Sequence, residues 1–123
     1  MQIEAAIYQR LVTFTPLTDL IGQRLYPTVP TENTQLPFVV YTISSSEPQL
    51  TTTAPSNLTR YALELDIWGI NLDDVLAITE QTKAALHGYR GGMFQGIFLT
   101  TRNLAIEEDG FHETQSFTVW ATV

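Results

Sequence analysis

Residues 60–69 form the segment that most constrains the fold. Apolar residues alternate there with a second set that is charged in its middle, and a helix signal follows directly. The apolar set is Tyr61, Leu63, Leu65 and Ile67. The other set is Arg60, Ala62, Glu64, Asp66 and Trp68. This alternation predicts a β-strand with one face against a core, whereas the other face, which ends in tryptophan, differs from an ordinary water-covered surface.

The composition predicts one domain, residues 1–123, with unusually little charge on its surface. A chain of 123 residues is long enough to form a single hydrophobic core. Hydrophobic residues make up 44% and charged residues 15% of the chain, compared with about 25% charged residues in a typical globular domain. We infer that part of the surface lies against other protein.

The charge balance and the cysteine count exclude several classes of function. There are 13 acidic and 6 basic residues, which give a formal charge of −7 and argue against a groove that neutralises nucleic-acid phosphates. The sequence contains no cysteine, so disulfides, thiol catalysis and thiolate metal sites are excluded. No uninterrupted apolar segment occurs near the start, so we expect neither a signal peptide nor a membrane span, and we expect synthesis in the cytoplasm.

Two helices are predicted from spacing and end signals. Residues 2–14 carry apolar residues at helical spacing, and a short helical turn follows Pro16. The second helix lies between Asn71, a good N-cap, and Gly88, a good stop, with two aspartates in its first turn. Its predicted inward stripe is Leu72, Val75, Leu76, Thr79, Thr82 and Leu86.

Three further strands and two long connections complete the chain. The strands are predicted at residues 38–43, 94–106 and 115–123, with a hairpin at Asp109 and Gly110 before the last one. Residues 24–36 are predicted as an extended connector. Residues 44–56 are predicted as a long polar loop, either a flexible tip or an arm that becomes ordered on a neighbour through residues such as Thr51, Thr52 and Thr53.

The element order predicts an α+β fold. Helix, two strands, helix and two strands give a single four-stranded, mainly antiparallel sheet with two helices packed on one face and a long loop between the first two strands. The other face is then uncovered. We predict an interface there, formed by Arg60, Glu64, Asp66, Trp68 and Trp120; the alternative is a small core under the loops.

A search for catalytic chemistry gives little. His112 lies among Glu107, Glu108, Asp109 and Glu113, so a divalent ion is conceivable, but a solvated acidic hairpin tip is the favoured interpretation. The glycines of residues 88–96 follow a helix and precede a strand, which is the reverse of a phosphate-binding loop. We therefore predict no catalytic residues, no cofactor and no metal, and a protein that is not an enzyme.

Five short motifs point instead to a known family. They are Ile21-Gly22-Gln23-Arg24-Leu25-Tyr26-Pro27, Leu36-Pro37-Phe38-Val39-Val40-Tyr41, Leu63-Glu64-Leu65-Asp66-Ile67-Trp68, Ala85-Leu86-His87-Gly88-Tyr89-Arg90-Gly91 and Gln115-Ser116-Phe117-Thr118-Val119-Trp120. In their order and spacing the chain resembles the tail terminator, or tail-to-head joining (tail completion), proteins of long-tailed bacteriophages and prophages.

The resemblance implies a structural role in the virion. It implies a small subunit that forms a ring, expected to be hexameric, on the head-proximal end of the tail tube, where it ends tube polymerisation and joins the tail to the head connector. The implied partners are other copies of itself, the tail tube protein and a head-completion protein, with DNA only passing through the lumen. The alternative is a small stand-alone protein-binding or adaptor module, and an enzyme is a more distant third.

Overall fold

The computed structural model describes residues 2–28, 35–50, 55–108 and 110–122. This part of the chain contains three helices and five strands. In order they are α1 (Ile3–Val12), α2 (Thr15–Ile21), β1 (Leu25–Pro27), β2 (Phe38–Leu50), β3 (Pro55–Gly69), α3 (Leu72–Leu86), β4 (Phe94–Glu107) and β5 (Gly110–Thr122).

The sheet is five-stranded and mixed, with the order β1-β2-β3-β5-β4. Strand β1 is parallel to β2, and the pairs β2–β3, β3–β5 and β4–β5 are antiparallel. The prediction of a four-stranded sheet with two helices is therefore wrong. Part of the predicted connector 24–36 is the short strand β1, and the turn after Pro16 is a complete helix, α2. A strand of three residues is too short to show a period of two.

The predicted loop at residues 44–56 is also wrong. Strand β2 continues to Leu50 and β3 begins at Pro55, so the two strands form a long ribbon. Pro48 is tolerated in β2 because this end of the strand extends beyond its pairing with β1. The strand is an edge there, and an edge strand needs no N–H donor on its outer side. The residues Thr51, Thr52 and Thr53 lie outside the described residues.

The core lies between one face of the sheet and the three helices. Helix α1 contributes Ile3, Ala6, Ile7 and Leu11, and α2 contributes Leu17 and Ile21. The sheet contributes apolar residues that lie opposite one another in register: Val39 and Ile67, Leu63 and Phe117, and Tyr61 and Val119. The predicted apolar set of β3 is thus confirmed as its core-facing side. Every helix packs on this side, and the other face of the sheet has no element over it in the described part.

Helix α3 follows β3 as predicted, but its inward face is rotated. Its buried residues are Val75, Ile78, Thr79, Thr82, Ala85 and Leu86. Leu72 and Leu76, which were predicted to face inward, are exposed. Two buried polar groups join the helix to the sheet: the Thr82 hydroxyl donates to Gln115 Oε1 (2.6 Å), and Gln115 Nε2 donates to the Thr79 carbonyl (3.2 Å).

The last two strands form the predicted hairpin, although β5 begins at Gly110 rather than residue 115. Gly110 crosses so close to the end of β3 that a Cβ atom there would lie 2.2 Å from the carbonyl oxygen of Gly69. Glycine is therefore required where the hairpin passes the end of the central strand. None of the helices in the described ranges is long and apolar enough to span a membrane.

Candidate assembly surface

The uncovered face of the sheet, on the side away from the helices, carries all the predicted interface residues that the structure describes. They are Arg60, Glu64, Asp66, Trp68 and Trp120. Their common face follows from the register, because residues opposite one another on antiparallel strands point to the same side. Arg60 is opposite Trp120, Asp66 is opposite Thr114, and Trp68 is opposite His112. The structure therefore brings these five residues onto one surface, which we call the open face.

Four rings form a row across one end of the open face. The row is Tyr26 on β1, Phe38 on β2, Trp68 on β3 and His112 on β5. Ring centres are 6.2 Å apart for both Tyr26–Phe38 and Phe38–Trp68. The His112 ring stacks on the Trp68 indole with centres 3.7 Å apart and planes at 8°. This aromatic row crosses four of the five strands and gives the open face a large apolar strip.

A polar cluster adjoins the aromatic row. His112 Nε2 lies 2.8 Å from Asp66 Oδ1, and its Nδ1 lies 3.6 Å from Glu107 Oε1. The Thr114 hydroxyl donates to the same Asp66 oxygen at 2.9 Å. Asp66 thus fixes the imidazole and the hydroxyl side by side. In a nucleophile triad the histidine would stand between the hydroxyl and the carboxylate, so this arrangement does not prepare Thr114 for attack.

The divalent-ion alternative finds no support in this geometry. Among the described residues, no group of three or more histidine, aspartate or glutamate side chains is arranged to hold a metal ion. His112 lies between Asp66 and Glu107, and Glu113 pairs instead with Arg102 through two hydrogen bonds of 3.2 Å. Asp109 lies outside the described residues.

Glu64 is the carboxylate of the open face with a perturbed acidity. Partial burial raises the pKa of Glu64, the nearby Asp66 raises it further through its charge and a hydrogen bond, and His112 opposes the shift. Two neighbouring carboxylates on a half-buried surface repel each other, which favours the protonated form of one of them. A cation or a hydrogen-bond donor supplied by a partner would therefore relieve the repulsion between Glu64 and Asp66.

The other end of the open face is more open to solvent. Arg60 forms an ion pair with Glu47 across the β2–β3 ribbon, and both side chains are largely exposed. Trp120 is half-buried and is opposite Arg60 on β3 and Gly96 on β4. Because Gly96 carries no side chain, the indole of Trp120 has no side chain opposite it on β4.

Sequence reasoning missed three members of the aromatic row, Tyr26, Phe38 and His112. Tyr26 falls in the predicted connector 24–36, Phe38 in the predicted strand 38–43 with no face assigned to it, and His112 at the predicted acidic hairpin tip. A signal existed for His112. In a strand that starts directly after the Asp109-Gly110 turn, His112 alternates with Phe111 and Glu113 and lies on the same side as Trp120. For Tyr26 no comparable signal exists, because its strand has three residues.

Comparison with known proteins identifies the family of this chain. The family model described as "Tail completion protein gp17" matches residues 5–122, nearly the whole chain. The chain belongs to this family. The resemblance inferred from the five motifs is confirmed, and the chain is a phage tail completion protein in the sense of a structural virion component. A search of curated proteins found no match.

Two solved structures share the fold of this tail completion protein. A chain in the virion of a native gene transfer agent particle superposes with a TM-score of 0.81 at 16% identity, covering 98% of this chain and 95% of that chain. The gp17 protein of bacteriophage SPP1 superposes with a TM-score of 0.53 at 18% identity, covering 98% and 87%. At these identities the likeness concerns the fold alone.

Proposed function

We propose that this protein forms a ring, expected to be a hexamer, on the head-proximal end of a phage tail tube, where it ends tube polymerisation and joins the tail to the head connector. Membership of the tail completion family over residues 5–122 is the observation that carries the proposal. The fold shared with a chain of a gene transfer agent virion supports it.

The open face supplies a contact surface for such an assembly. A ring needs a heterologous interface, in which one patch of a subunit meets a different patch of its neighbour. Tryptophan and histidine rings beside paired carboxylates give the mixture of apolar area and directed polar groups that protein interfaces use. In this proposal Trp68, Trp120, Arg60, Glu64 and Asp66 contact a neighbouring subunit or the tail tube.

The charge of the chain agrees with a position around passing DNA. A net charge of −7 repels phosphates, so DNA moves through the lumen without being held. The proposed partners are other copies of this chain, the tail tube protein and a head-completion protein. The proposed location is the head–tail junction of the virion.

The test uses purified protein with and without tail tubes. We expect negative-stain microscopy to show rings, either free or at one end of each tube, and expect tube growth to stop where a ring is bound. A phage that lacks the gene should make tails that vary in length and fail to join heads. A protein that stays monomeric and binds no tube end would instead support a stand-alone binding module.

A further inference from the structure

A groove of about 600 Å³ lies between helix α1 and the segment that leads into β4. Helix α1 forms one wall with Ala6, Gln9 and Arg10. The other wall is formed by Tyr89 and Met93, which precede β4, and by Phe94, its first residue. Gln9, Thr13 and Thr122 also line the groove, but its surface is mainly apolar, and Arg10 is its one cation. Such concave apolar sites with a single convergent charged group are typical of ligand or peptide binding.

Arg10 is held in this groove by contacts that leave most of its donors unused. Its guanidinium lies 3.9 Å from the centre of the Tyr89 ring and 5.4 Å from that of Phe14. Its Nε–H donates to the Ala85 carbonyl in the last turn of α3 at 2.7 Å. A guanidinium has five N–H donors, and this is the one hydrogen bond it makes among the described residues.

The missing carboxylate distinguishes Arg10 from the two arginines that pair within the chain. Arg60 pairs with Glu47, and Arg102 pairs with Glu113. No carboxylate of the described residues lies within ion-pair distance of Arg10. A stacked, positioned guanidinium with unused N–H groups suits a carboxylate bound in two-pronged fashion.

Residues that match the groove in chemistry lie at the other end of strand β4, beside the β4–β5 turn. Ile106 is 82% exposed, and Glu108 is exposed and makes no hydrogen bond or ion pair among the described residues. Strand β4 has 14 residues, so Phe94 in the groove and Glu107 at the turn are about 45 Å apart. The turn therefore cannot reach the groove of its own molecule.

We propose that the groove binds the β4–β5 turn of a second copy of this chain, with Ile106 against the apolar lining and the Glu108 carboxylate on Arg10. Groove and turn lie at opposite ends of the subunit, so the contact is head to tail and can continue from copy to copy until a ring closes. The inference deepens the proposed ring and rests on it. It assigns one subunit contact to the helix side, separate from the open face.

Disulfide cross-linking tests the contact directly, because the natural chain has no cysteine. A chain with Met93→Cys and Ile106→Cys, oxidised under assembly conditions, should give a ladder of covalent oligomers that ends at the ring size. The matched control replaces Ile106→Cys with Glu80→Cys, on the exposed side of α3, and should give at most dimers. Equal ladders from both chains would overturn the proposal.

Charge reversal provides an independent measurement. We expect Arg10→Glu or Glu108→Arg alone to weaken self-association by about tenfold or more, and the two together in one chain to restore most of it. Arg90→Glu, at an exposed arginine near the groove, is the control and should change association little. If Arg10→Glu fails to fold, the cross-linking result and the Glu108→Arg variant still decide.

The outcomes separate this inference from the ring itself. Rings that form without the cysteine ladder would remove the groove contact and leave the proposed function intact. Cross-linking of the groove cysteine to the tail tube protein, through a maleimide-diazirine reagent, would show a different occupant and overturn the inference. Absence of rings and of any tube-end binding would remove the proposed function itself.

Discussion

The imidazole of His112 lies flat on the indole of Trp68, with ring centres 3.7 Å apart, while its Nε2 is held 2.8 Å from Asp66. This relationship joins β3 to β5 on the open face and couples the aromatic row to the polar cluster. The indole is fixed within the subunit before any partner arrives. Less conformational freedom is then lost on association, which favours binding.

Trp68 and Trp120 should therefore differ in their effect on the isolated subunit. Trp68→Ala removes two ring contacts, to Phe38 and His112, and we expect it to lower the free energy of unfolding by about 1–2 kcal/mol. Trp120 makes no ring contact among the described residues, so Trp120→Ala should lower the free energy of unfolding by less. Urea denaturation of dilute protein measures both.

Both tryptophan variants should impair assembly if the open face is an interface. Ring formation and tube-end binding, counted by negative-stain microscopy, should fall for Trp68→Ala and for Trp120→Ala. Leu20→Ala, at an exposed leucine on the helix side, serves as the control and should assemble normally. Normal rings from both tryptophan variants would show that the open face is not the contact surface.

The parts of the fold that could be predicted are those with long periodic patterns. Strand β3 alternates over its paired length, and α3 has a cap, acidic first turn and stop that all agree. The hairpin between β4 and β5 follows from its Asp-Gly pair. In each of these elements the local signal and the tertiary packing favour the same structure, so the sequence pattern is sufficient.

The parts that could not be predicted depend on contacts between distant segments. Strand β1 exists through its parallel pairing with β2, and two further hydrogen bonds flank it, from Val39 N–H to the Arg24 carbonyl and from Thr28 N–H to the Tyr41 carbonyl. Residues 44–48 of β2 are all exposed, so no buried face gives this end of the strand a period of two. The aromatic row needs the mutual register of β1, β2, β3 and β5, which the pattern within any single strand does not specify.

Glu64→Gln should stabilise the protein in a pH-dependent way. Burial and the neighbouring Asp66 raise the pKa of Glu64 in the folded state. The protonated carboxyl therefore contributes stability that is complete below the pKa of the unfolded state and is lost as the pH rises through the pKa of the folded state. We expect Glu64→Gln to raise Tm at neutral pH and to change it little below about pH 4.

The size of the Glu64 effect should be small because the side chain is only half-buried. Solvent screening limits it to about 1 kcal/mol or less at neutral pH. Glu80→Gln, at an exposed position of α3, is the control for removing one negative charge. A larger gain in Tm at acidic pH than at neutral pH would contradict the assigned sign.

Two threonines in α3 should respond in opposite directions to the same substitution. The hydroxyl of Thr82 donates to Gln115 Oε1, whereas the buried hydroxyl of Thr79 has no hydrogen-bond partner among the described residues. Thr82→Val should cost about 1–3 kcal/mol, because it leaves the Gln115 oxygen buried without a donor. Thr79→Val should be neutral or stabilise by up to about 1 kcal/mol.

Each threonine variant is the control of the other, because valine has nearly the same shape and both sites lie in one helix. Urea denaturation with two-state fitting gives the free energies of unfolding, and unchanged m-values would confirm that the denatured state is unaffected. Equal losses from the two variants would mean that packing, rather than the hydrogen bond to Gln115, sets the stability at this junction.

Gly110→Ala should lower the free energy of unfolding more than a methyl group added elsewhere in the hairpin. The added Cβ would lie 2.2 Å from the Gly69 carbonyl oxygen and 3.2 Å from Ile70 Cα, both backbone atoms that cannot rotate away. We expect a loss of about 3 kcal/mol in the free energy of unfolding, at the upper end of overpacking effects. Gly92→Ala is the comparison. Gly92 has a left-handed φ of 55°, but no atom lies within 4 Å of the new Cβ, so the substitution should cost about 1 kcal/mol.

The contact with Gly69 predicts that the Gly110 variant also displaces the β4–β5 turn, so proteolysis at that turn should accelerate in Gly110→Ala and not in Gly92→Ala. Equal stability losses from the two variants would mean that backbone conformation, and not the close approach of β5 to the end of β3, requires glycine at position 110.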